Sequence, residues 1–234
     1  MRRIWSILLM LALLAAPVRA AENEKWVALT FDDGPSGALT ERLLDGLAAR
    51  DVKATFFVCG YRVAEYPEAL RRIAAEGHEI GLHSEKHDYM QKMGYEAVLD
   101  DLSRCRAEVA ECCGAQARLF RPPGGLYSEV LLRASADLGL SVVLWSVDPE
   151  DWDVKKAATV LPTIRKEVFP GSVILMHDLH ESSVDAALTA VDELSAQGYR
   201  FCTVSELAEK TGTVLLPGVL YTAFRPVDET GKSR

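Results

Sequence analysis

The sequence has no C-x-x-C pair, and its cysteines are too few and too scattered for a disulfide framework. The five are Cys59, Cys105, Cys112, Cys113 and Cys202. On one helix, the second and third of these would lie about 10 Å apart, which is too far for a bridge. The pattern argues against a zinc ribbon and predicts small buried residues with at most one disulfide.

Blocks of like charge, internal repeats, low-complexity segments and long linkers are also lacking. The formal net charge is −8, and without residues 1–20, which hold three arginines and no acid, it would be −8 − 3 = −11. Nucleic-acid binding depends on lysines and arginines that neutralise phosphates, so this acidity argues against a nucleic-acid partner. The remaining 234 − 20 = 214 residues can bury one sizeable core, which predicts one domain.

The first twenty residues have the pattern of a signal peptide. Arg2 and Arg3 precede a short apolar run over residues 4–16, and Val18 and Ala20 are small enough for a signal-peptidase site. The run is short for a membrane span and no second run follows it. We expect an exported protein (secreted, periplasmic or associated with the cell wall) without stable membrane insertion after cleavage. An uncleaved N-terminal anchor is the alternative.

Short apolar runs alternate with longer amphipathic stretches along the rest of the chain. This alternation predicts a mostly parallel α/β sheet covered by helices, and about seven repeats favour a distorted (β/α) barrel over an open sheet. Residues 21–210 would form the domain, and residues 211–234 a strand-like piece with a frayed end. The predicted strands are 26–31, 54–58, 79–82, 119–120, 141–147, 172–176 and 199–203, and the predicted helices are 39–50, 68–76, 95–112, 129–138, 157–167 and 184–197.

Ionisable residues follow the ends of several predicted strands. They are Asp32, Asp33, His83, Arg121, Asp148, Asp151, His177 and Asp178. Because the carboxyl ends of parallel strands converge at one mouth of a barrel, the sequence predicts that these side chains share one site.

Asp32 and Asp33 stand in the string T-F-D-D-G-P. Neighbouring side chains at a strand end point in different directions, so one carboxylate can face a metal ion while the other acts as a base. The alternative is a solvated turn, since Asp, Gly and Pro are ordinary turn residues.

His83 and His87 are four residues apart in H-S-E-K-H. On a helix or helical turn, both imidazoles would lie on one face and could share an ion. With one carboxylate they form a three-ligand set with an open position, as in catalytic zinc sites, although such pairs also arise by chance on exposed helices. His78 is expected to be structural and His180 exposed.

Arg121 opens the rigid string R-P-P-G-G and is a natural partner for a catalytic aspartate, if the string is more than a surface turn. Gly124 and Gly125 would leave backbone N–H groups accessible to an oxyanion. Trp152 follows an acidic cluster and could stack on a sugar ring or belong to the core. His177 ends a strand, where a general acid would be needed.

Five motifs, T-F-D-D-G-P, H-S-x-x-H, R-P-P-x-G, D-x-x-D-W and L-x-H, occur in this order. Together they resemble the motifs of the polysaccharide deacetylase family, which contains the NodB homology domain and is also called carbohydrate esterase family 4. The similarity runs from about Trp26 to Ala208, nearly all of the chain after the signal peptide. The resemblance implies a distorted (β/α) barrel and one divalent metal ion, zinc in most members with cobalt as an alternative.

The resemblance also implies roles by position. Asp33, His83 and His87 would be the metal ligands, and Asp32 would be the general base, held by Arg121. The general acid and the residue that tunes it would be His177 and Asp151.

Three residues are implied to meet the substrate, namely Gly124, Trp152 and Leu175. The family usually has a tyrosine where this chain has Gly124. Since only the backbone N–H is expected to serve the oxyanion, the resemblance predicts that catalysis is kept and that an aromatic wall of the groove is missing.

The implied activity is hydrolysis of N-acetyl groups on N-acetylglucosamine units of peptidoglycan or a chitin-like polymer. One alternative is an esterase that uses the same residues on O-acetyl groups of xylan. Another is a non-catalytic carbohydrate-binding domain, which should have lost the base, the acid or a ligand, whereas all of these are present. Metal storage would not explain Arg121.

Overall fold

The structure, a computed structural model, describes residues 24–153 and 156–225. The predicted signal peptide and the polar end from residue 226 lie outside these residues. Within them, eight strands alternate with eight α-helices. The strands are β1 (Lys25–Asp32), β2 (Thr55–Val58), β3 (Glu79–Leu82), β4 (Leu119–Phe120), β5 (Ser141–Val143), β6 (Val173–His177), β7 (Tyr199–Cys202) and β8 (Leu220–Tyr221). The helices are α1 (Ala38–Ala48), α2 (Gly60–Glu65), α3 (Pro67–Ala75), α4 (Tyr95–Cys113), α5 (Glu129–Asp137), α6 (Ala157–Glu167), α7 (Glu181–Ala196) and α8 (Val204–Lys210).

The strands form one curled sheet in the order β6-β1-β2-β3-β4-β5-β8, with β7 paired to the first half of β1. The strand pairs are parallel. The N–H of Leu175 in β6 donates to the carbonyl of Val147, in the segment after β5, so the sheet curls back toward its first edge. The predicted distorted (β/α) barrel of about seven parallel strands is confirmed, with the two-residue β8 as an eighth.

Strands that are covered on both faces explain the continuous apolar runs in the sequence. In β2, Phe56 packs into the larger core between the sheet and the helices. The next residue, Phe57, packs into a smaller apolar cluster with Ala28, Leu119 and Val143 of neighbouring strands. The helices turn one apolar stripe to the larger core, as α1 does with three buried leucines.

Most predicted elements match the structure to within a few residues, and α4 ends before Gly114 in the left-handed conformation. The short helices α2 and α8 were not predicted. Residues 211–225 contribute β8 and the buried ring of Phe224. The division of the chain at residues 20 and 210 stays a prediction.

All five cysteines are free, three of them buried and Cys112 and Cys113 half-buried. His78 is structural, because its buried Nδ1 accepts the N–H of Ala54. Among the described residues, no helix is both long and apolar enough to cross a membrane.

Candidate active site

A pocket of about 390 Å³ opens at the carboxyl ends of the strands. The residues that line it are Asp32, Asp33, His83, His87, Tyr89, Gly124, Trp145, Asp148, Trp152, Leu175 and His177. Two more residues predicted from the sequence, Arg121 and Asp151, lie directly behind this lining, each bonded to a pocket residue. The topology therefore brings all ten predicted site residues to one place.

The two adjacent carboxylates have different backbone conformations. Asp32 is the last residue of β1, whereas Asp33 leaves the strand with φ 70°. A left-handed aspartate costs about 1–2 kcal/mol, which the surrounding packing must offset. Gly34 makes the close turn possible, because a Cβ there would lie 2.5 Å from Oδ1 of the buried Asp178. The turn sends the two side chains to different partners.

Asp33 faces both imidazoles of the H-S-x-x-H string. Its Oδ1 lies 3.2 Å from Nε2 of His83 and 3.2 Å from Nε2 of His87. The expected helical turn between the histidines is wrong. His83 instead follows β3 in a loop, in which Ser84 (φ 66°) and His87 (φ 60°) are left-handed and reverse the chain. The reversal places the ring centroids 5.2 Å apart.

The donor set of these three residues fits a divalent cation. His83 Nδ1 lies 2.6 Å from the carbonyl oxygen of Arg121, which can only accept, so Nδ1 carries the proton and Nε2 presents a lone pair. Within the described part of the chain, the buried Asp33 Oδ1 accepts no hydrogen bond of ordinary geometry. One ligand atom from each residue lies within 4.8 Å of the other two. Two imidazole nitrogens and one carboxylate suit zinc or a similar borderline ion.

Electrostatics at this cluster favour an ionised carboxylate. Burial raises the pKa of Asp33, but contacts with His83 and His87 outweigh burial and hold that pKa well below its usual range. An ionised carboxylate between two imidazoles is the state that binds a cation.

Asp32 forms an ion pair with the fully buried Arg121. Arg121 Nη1 donates to Asp32 Oδ1 at 2.7 Å and to Thr30 Oγ1 at 2.8 Å. Its other nitrogens donate to the carbonyls of Val143 and Leu144, and the guanidinium carbon lies 4.0 Å from the centre of the Phe57 ring. The other carboxylate oxygen of Asp32, Oδ2, faces the pocket and lies 3.7 Å from His83 Nε2.

His177 ends β6 and pairs in register with Asp32 of β1. Asp151 holds it twice, because Oδ2 accepts the backbone N–H and Oδ1 lies 2.8 Å from Nδ1. Burial lowers the pKa of His177, but Asp151, with the charges of Asp32 and Asp33, raises it to about 9. His177 Nε2 faces the cluster of Asp33, His83 and His87 and lies 3.9 Å from Asp33 Oδ2.

In the glycine loop after Arg121, only one of the two backbone N–H groups expected to be accessible to an oxyanion is free of a partner in the loop. The N–H of Gly125 donates to the carbonyl of Pro122 at 2.9 Å, so it is not available to an oxyanion, whereas Gly124 lines the pocket. Trp152 is a pocket residue rather than a core residue, with 54% of its surface exposed. Leu175 forms the buried floor beside it.

Two aromatic residues of the pocket, Tyr89 and Trp145, were not predicted from the sequence. Tyr89 lies two residues after the H-S-x-x-H motif, and this position was the only signal for it, whereas Trp145 lies inside the predicted strand 141–147 and had no such signal. Tyr89 also contradicts the predicted loss of an aromatic wall, because a Cβ at Gly124 would lie 2.8 Å from its Cε1. A tyrosine from another loop thus stands against this glycine.

Comparisons with known proteins agree with the geometry of the pocket. A family model described as polysaccharide deacetylase matches residues 19–143. A peptidoglycan-N-acetylmuramic acid deacetylase of Bacillus subtilis is 38% identical over 188 residues, which cover 80% of this chain and 39% of that protein. A peptidoglycan-N-acetylglucosamine deacetylase of Bacillus cereus is 37% identical over 190 residues, which cover 79% of this chain and 89% of that protein.

The chain spans about two fifths of the length of the Bacillus subtilis protein. Among solved structures, a family 4 acetyl xylan esterase from Clostridium thermocellum, in complex with a cobalt ion, is similar with a TM-score of 0.80 and 32% identity. That similarity covers 85% of this chain and 98% of the esterase chain.

Proposed function

Because the chain belongs to the polysaccharide deacetylase family, we propose that it is a metal-dependent hydrolase that removes N-acetyl groups from the amino sugars of peptidoglycan. The family predicted from the five motifs is confirmed by these comparisons. The observation that carries the proposal is the division between the adjacent carboxylates, since Asp33 faces two imidazoles and Asp32 faces a buried arginine. A single reaction uses both arrangements when a cation and a base must act on one water molecule.

Asp33, His83 and His87 would hold the ion, with zinc as our choice and cobalt as the alternative. A bound divalent ion supplies Lewis-acid chemistry, which polarises an acetyl carbonyl and lowers the pKa of water. The hydrogen bond from His83 Nδ1 to the Arg121 carbonyl keeps that ligand in the tautomer the ion requires.

Asp32 is the proposed general base. Its Oδ1 is held by Arg121, so Oδ2 can take the proton of the attacking water without rotation of the carboxylate. Arg121 is itself fixed by hydrogen bonds to β1 and to the end of β5, which limits the reorganisation needed during the reaction.

His177 is the proposed general acid. Asp151 binds Nδ1–H and orients the ring so that Nε2–H can be given to the leaving nitrogen. The raised pKa of His177, caused mainly by Asp151, favours the protonated ring that a general acid requires. The backbone N–H of Gly124 would bind the oxyanion, and Leu175 and Trp152 would enclose the acetyl methyl group and the sugar.

The proposed location follows from the proposed substrate. Two relatives are described as peptidoglycan deacetylases, and peptidoglycan lies outside the cytoplasmic membrane. We therefore propose an exported, cell-wall-associated protein, in agreement with the basic and apolar start of the sequence.

The test is mass spectrometry of purified protein incubated with peptidoglycan fragments, N-acetylglucosamine oligomers and acetylated xylan, with and without a chelator. We expect the mass loss of one acetyl group per modified sugar on peptidoglycan, abolished by the chelator and restored by zinc. Products from fragments that carry either N-acetylglucosamine or N-acetylmuramic acid identify the sugar. The absence of acetyl loss from every N-acetylated substrate in zinc would disprove the proposal.

One alternative has a specific observation behind it, namely the 0.80 TM-score with an acetyl xylan esterase. Ester and amide hydrolysis pass through the same type of tetrahedral intermediate, so the same residues serve both. Acetyl loss confined to xylan in the same assay would favour this alternative.

A further inference from the structure

Tyr89 is the most exposed aromatic residue of the pocket lining, with 61% of its surface accessible. It stands two residues after His87 and contacts that ring edge-on at 6.0 Å between centroids. The described side chains leave its ring largely uncovered, although the residue lines a pocket of about 390 Å³. An aromatic ring held at a pocket rim is a binding surface for a flat apolar face.

Two neighbouring glycines make room for aromatic rings on this side of the pocket. A Cβ at Gly124 would lie 2.8 Å from Tyr89 Cε1, and a Cβ at Gly125 would lie 2.8 Å from Trp145 Cη2. Both glycines are left-handed, with φ 64° and 68°. The loop therefore has no side chain at the positions where its backbone meets the two rings. The ring of Tyr89 can pack directly against the backbone of Gly124.

We propose that Tyr89 is a specificity-determining residue that stacks on a sugar unit next to the one that reacts. This inference rests on the proposed function for the identity of the substrate. The reacting acetyl group must reach Asp32 and His177, which are buried, whereas Tyr89 lies beside the more exposed ligand His87 at the rim. A ring at the rim meets the polymer beyond the reacting sugar.

The aromatic ring contributes through its apolar face, because sugar rings present C–H groups on their flat faces. The phenol hydroxyl is not required for such stacking. Tyr89→Phe should therefore keep the affinity for an oligomer, whereas Tyr89→Ala should not. An oligomer should lose affinity when the ring is removed, whereas a small acetyl ester, which has no second sugar, should not.

The experiment compares Tyr89→Ala, Tyr89→Phe and the unchanged protein, each loaded with zinc, on the N-acetylglucosamine tetramer and on 4-nitrophenyl acetate. We expect Tyr89→Ala to raise KM for the tetramer about tenfold with little change in kcat, as for the loss of one stacking contact. KM for the small ester and the zinc content should stay unchanged, and Tyr89→Phe should behave like the unchanged protein. Tyr127→Ala is the matched control, since Tyr127 is 48% exposed but does not line the pocket.

Binding of the tetramer to Asp32→Asn, with and without Tyr89→Ala, is measured by calorimetry. A Kd about tenfold higher in the double variant than in Asp32→Asn supports the stacking role even if the chain proves not to be a deacetylase. An unchanged Kd and KM in Tyr89→Ala would refute it, as would absence of tetramer binding to Asp32→Asn. Equal losses on tetramer and small ester would also refute it, because they would indicate damage to the His87 loop.

Discussion

The two ends of the barrel carry cavities of similar size and different chemistry. The pocket at the carboxyl ends of the strands measures about 390 Å³, and a second one at the amino ends measures about 430 Å³. The second is lined by Arg118, Leu119, Gly139, Ser141, Ser205, Ala208, Glu209, Thr213, Val214, Leu215 and Pro217. It holds an arginine and a glutamate but no histidine. Cavity volume alone would not identify the functional end, whereas convergence of titratable groups with buried partners does.

Each end also has a buried or partly buried carboxylate, and the partners differ. At the pocket, Asp32 is bonded to a guanidinium. At the other end, Glu79 accepts from the hydroxyls of Thr55 and Ser205 and from the backbone N–H of Ser205, at the start of α8. Burial raises the pKa of Glu79, and these donors oppose that effect. The first carboxylate is the one that we propose for chemistry, and the second fastens a helix to the sheet.

The largest expected effect is that of Asp32→Asn. Removal of the proposed base should lower kcat on peptidoglycan fragments about 10³-fold while zinc content stays at that of the unchanged protein. Steady-state kinetics with metal analysis measures both. Near-normal turnover with bound zinc would show that another group takes the proton.

Asp151→Asn should have the next largest effect. Loss of the negative charge lowers the pKa of His177 from about 9, so the imidazolium is lost at lower pH. The alkaline limb of the kcat–pH profile should therefore move to lower pH, with about a 10²-fold loss at pH 8. A profile recorded between pH 5 and pH 10 measures the shift, and an unmoved alkaline limb would contradict the assignment of His177 as the acid.

At the other end, Glu79→Ala should change stability and leave the chemistry unaltered. It removes the acceptor for donors of β2 and α8 and should lower the free energy of unfolding by about 2–3 kcal/mol. Glu79→Gln, which keeps an acceptor oxygen, is the matched control. Urea denaturation and kcat are measured together, and a loss of kcat in folded Glu79→Ala would remove the distinction between the two ends.

The smallest expected effect is that of His78→Asn on the loss of stability in acid. Burial lowers the pKa of His78 to about 4, from about 6.5 in the unfolded chain. The folded state binds the proton less well, so stability is fully present above pH 6.5 and is lost as pH falls toward 4. Between pH 7 and pH 5 the free energy of unfolding should fall by about 2 kcal/mol because of this residue. An asparagine, whose Oδ1 matches the position of Nδ1 and can accept from Ala54 without titrating, should reduce that loss in urea denaturation, and an equal loss in both proteins would contradict it.

The fold and the position of the pocket could be predicted because they depend on local patterns. Strands with continuous apolar runs and helices with apolar stripes are visible in the sequence, and the parallel topology places every strand end at one mouth. Asp32, His83 and His177 reach the pocket because each lies at or just after the end of a strand. Their roles in the reaction stay predictions until they are tested.

The local geometry could not be predicted, because it depends on contacts between segments distant in sequence. The left-handed conformation of His87 follows from a loop path that spacing alone does not specify, and the helical expectation was wrong there. The hydrogen bond that removes Gly125 N–H from the pocket is likewise set by the turn. The ring of Tyr89 packs against Gly124, 35 residues later in the chain (124 − 89 = 35), where a Cβ would lie 2.8 Å from it.

The burial of Arg121 constrains how this protein can evolve. Its guanidinium bonds Asp32, Thr30 and the end of β5, so most substitutions there would leave several buried groups unpaired. Asp33 and His87 lie on partly exposed loops and support few other contacts. A lineage that gave up the proposed reaction while keeping the barrel should therefore lose Asp33 or His87 first and retain Arg121.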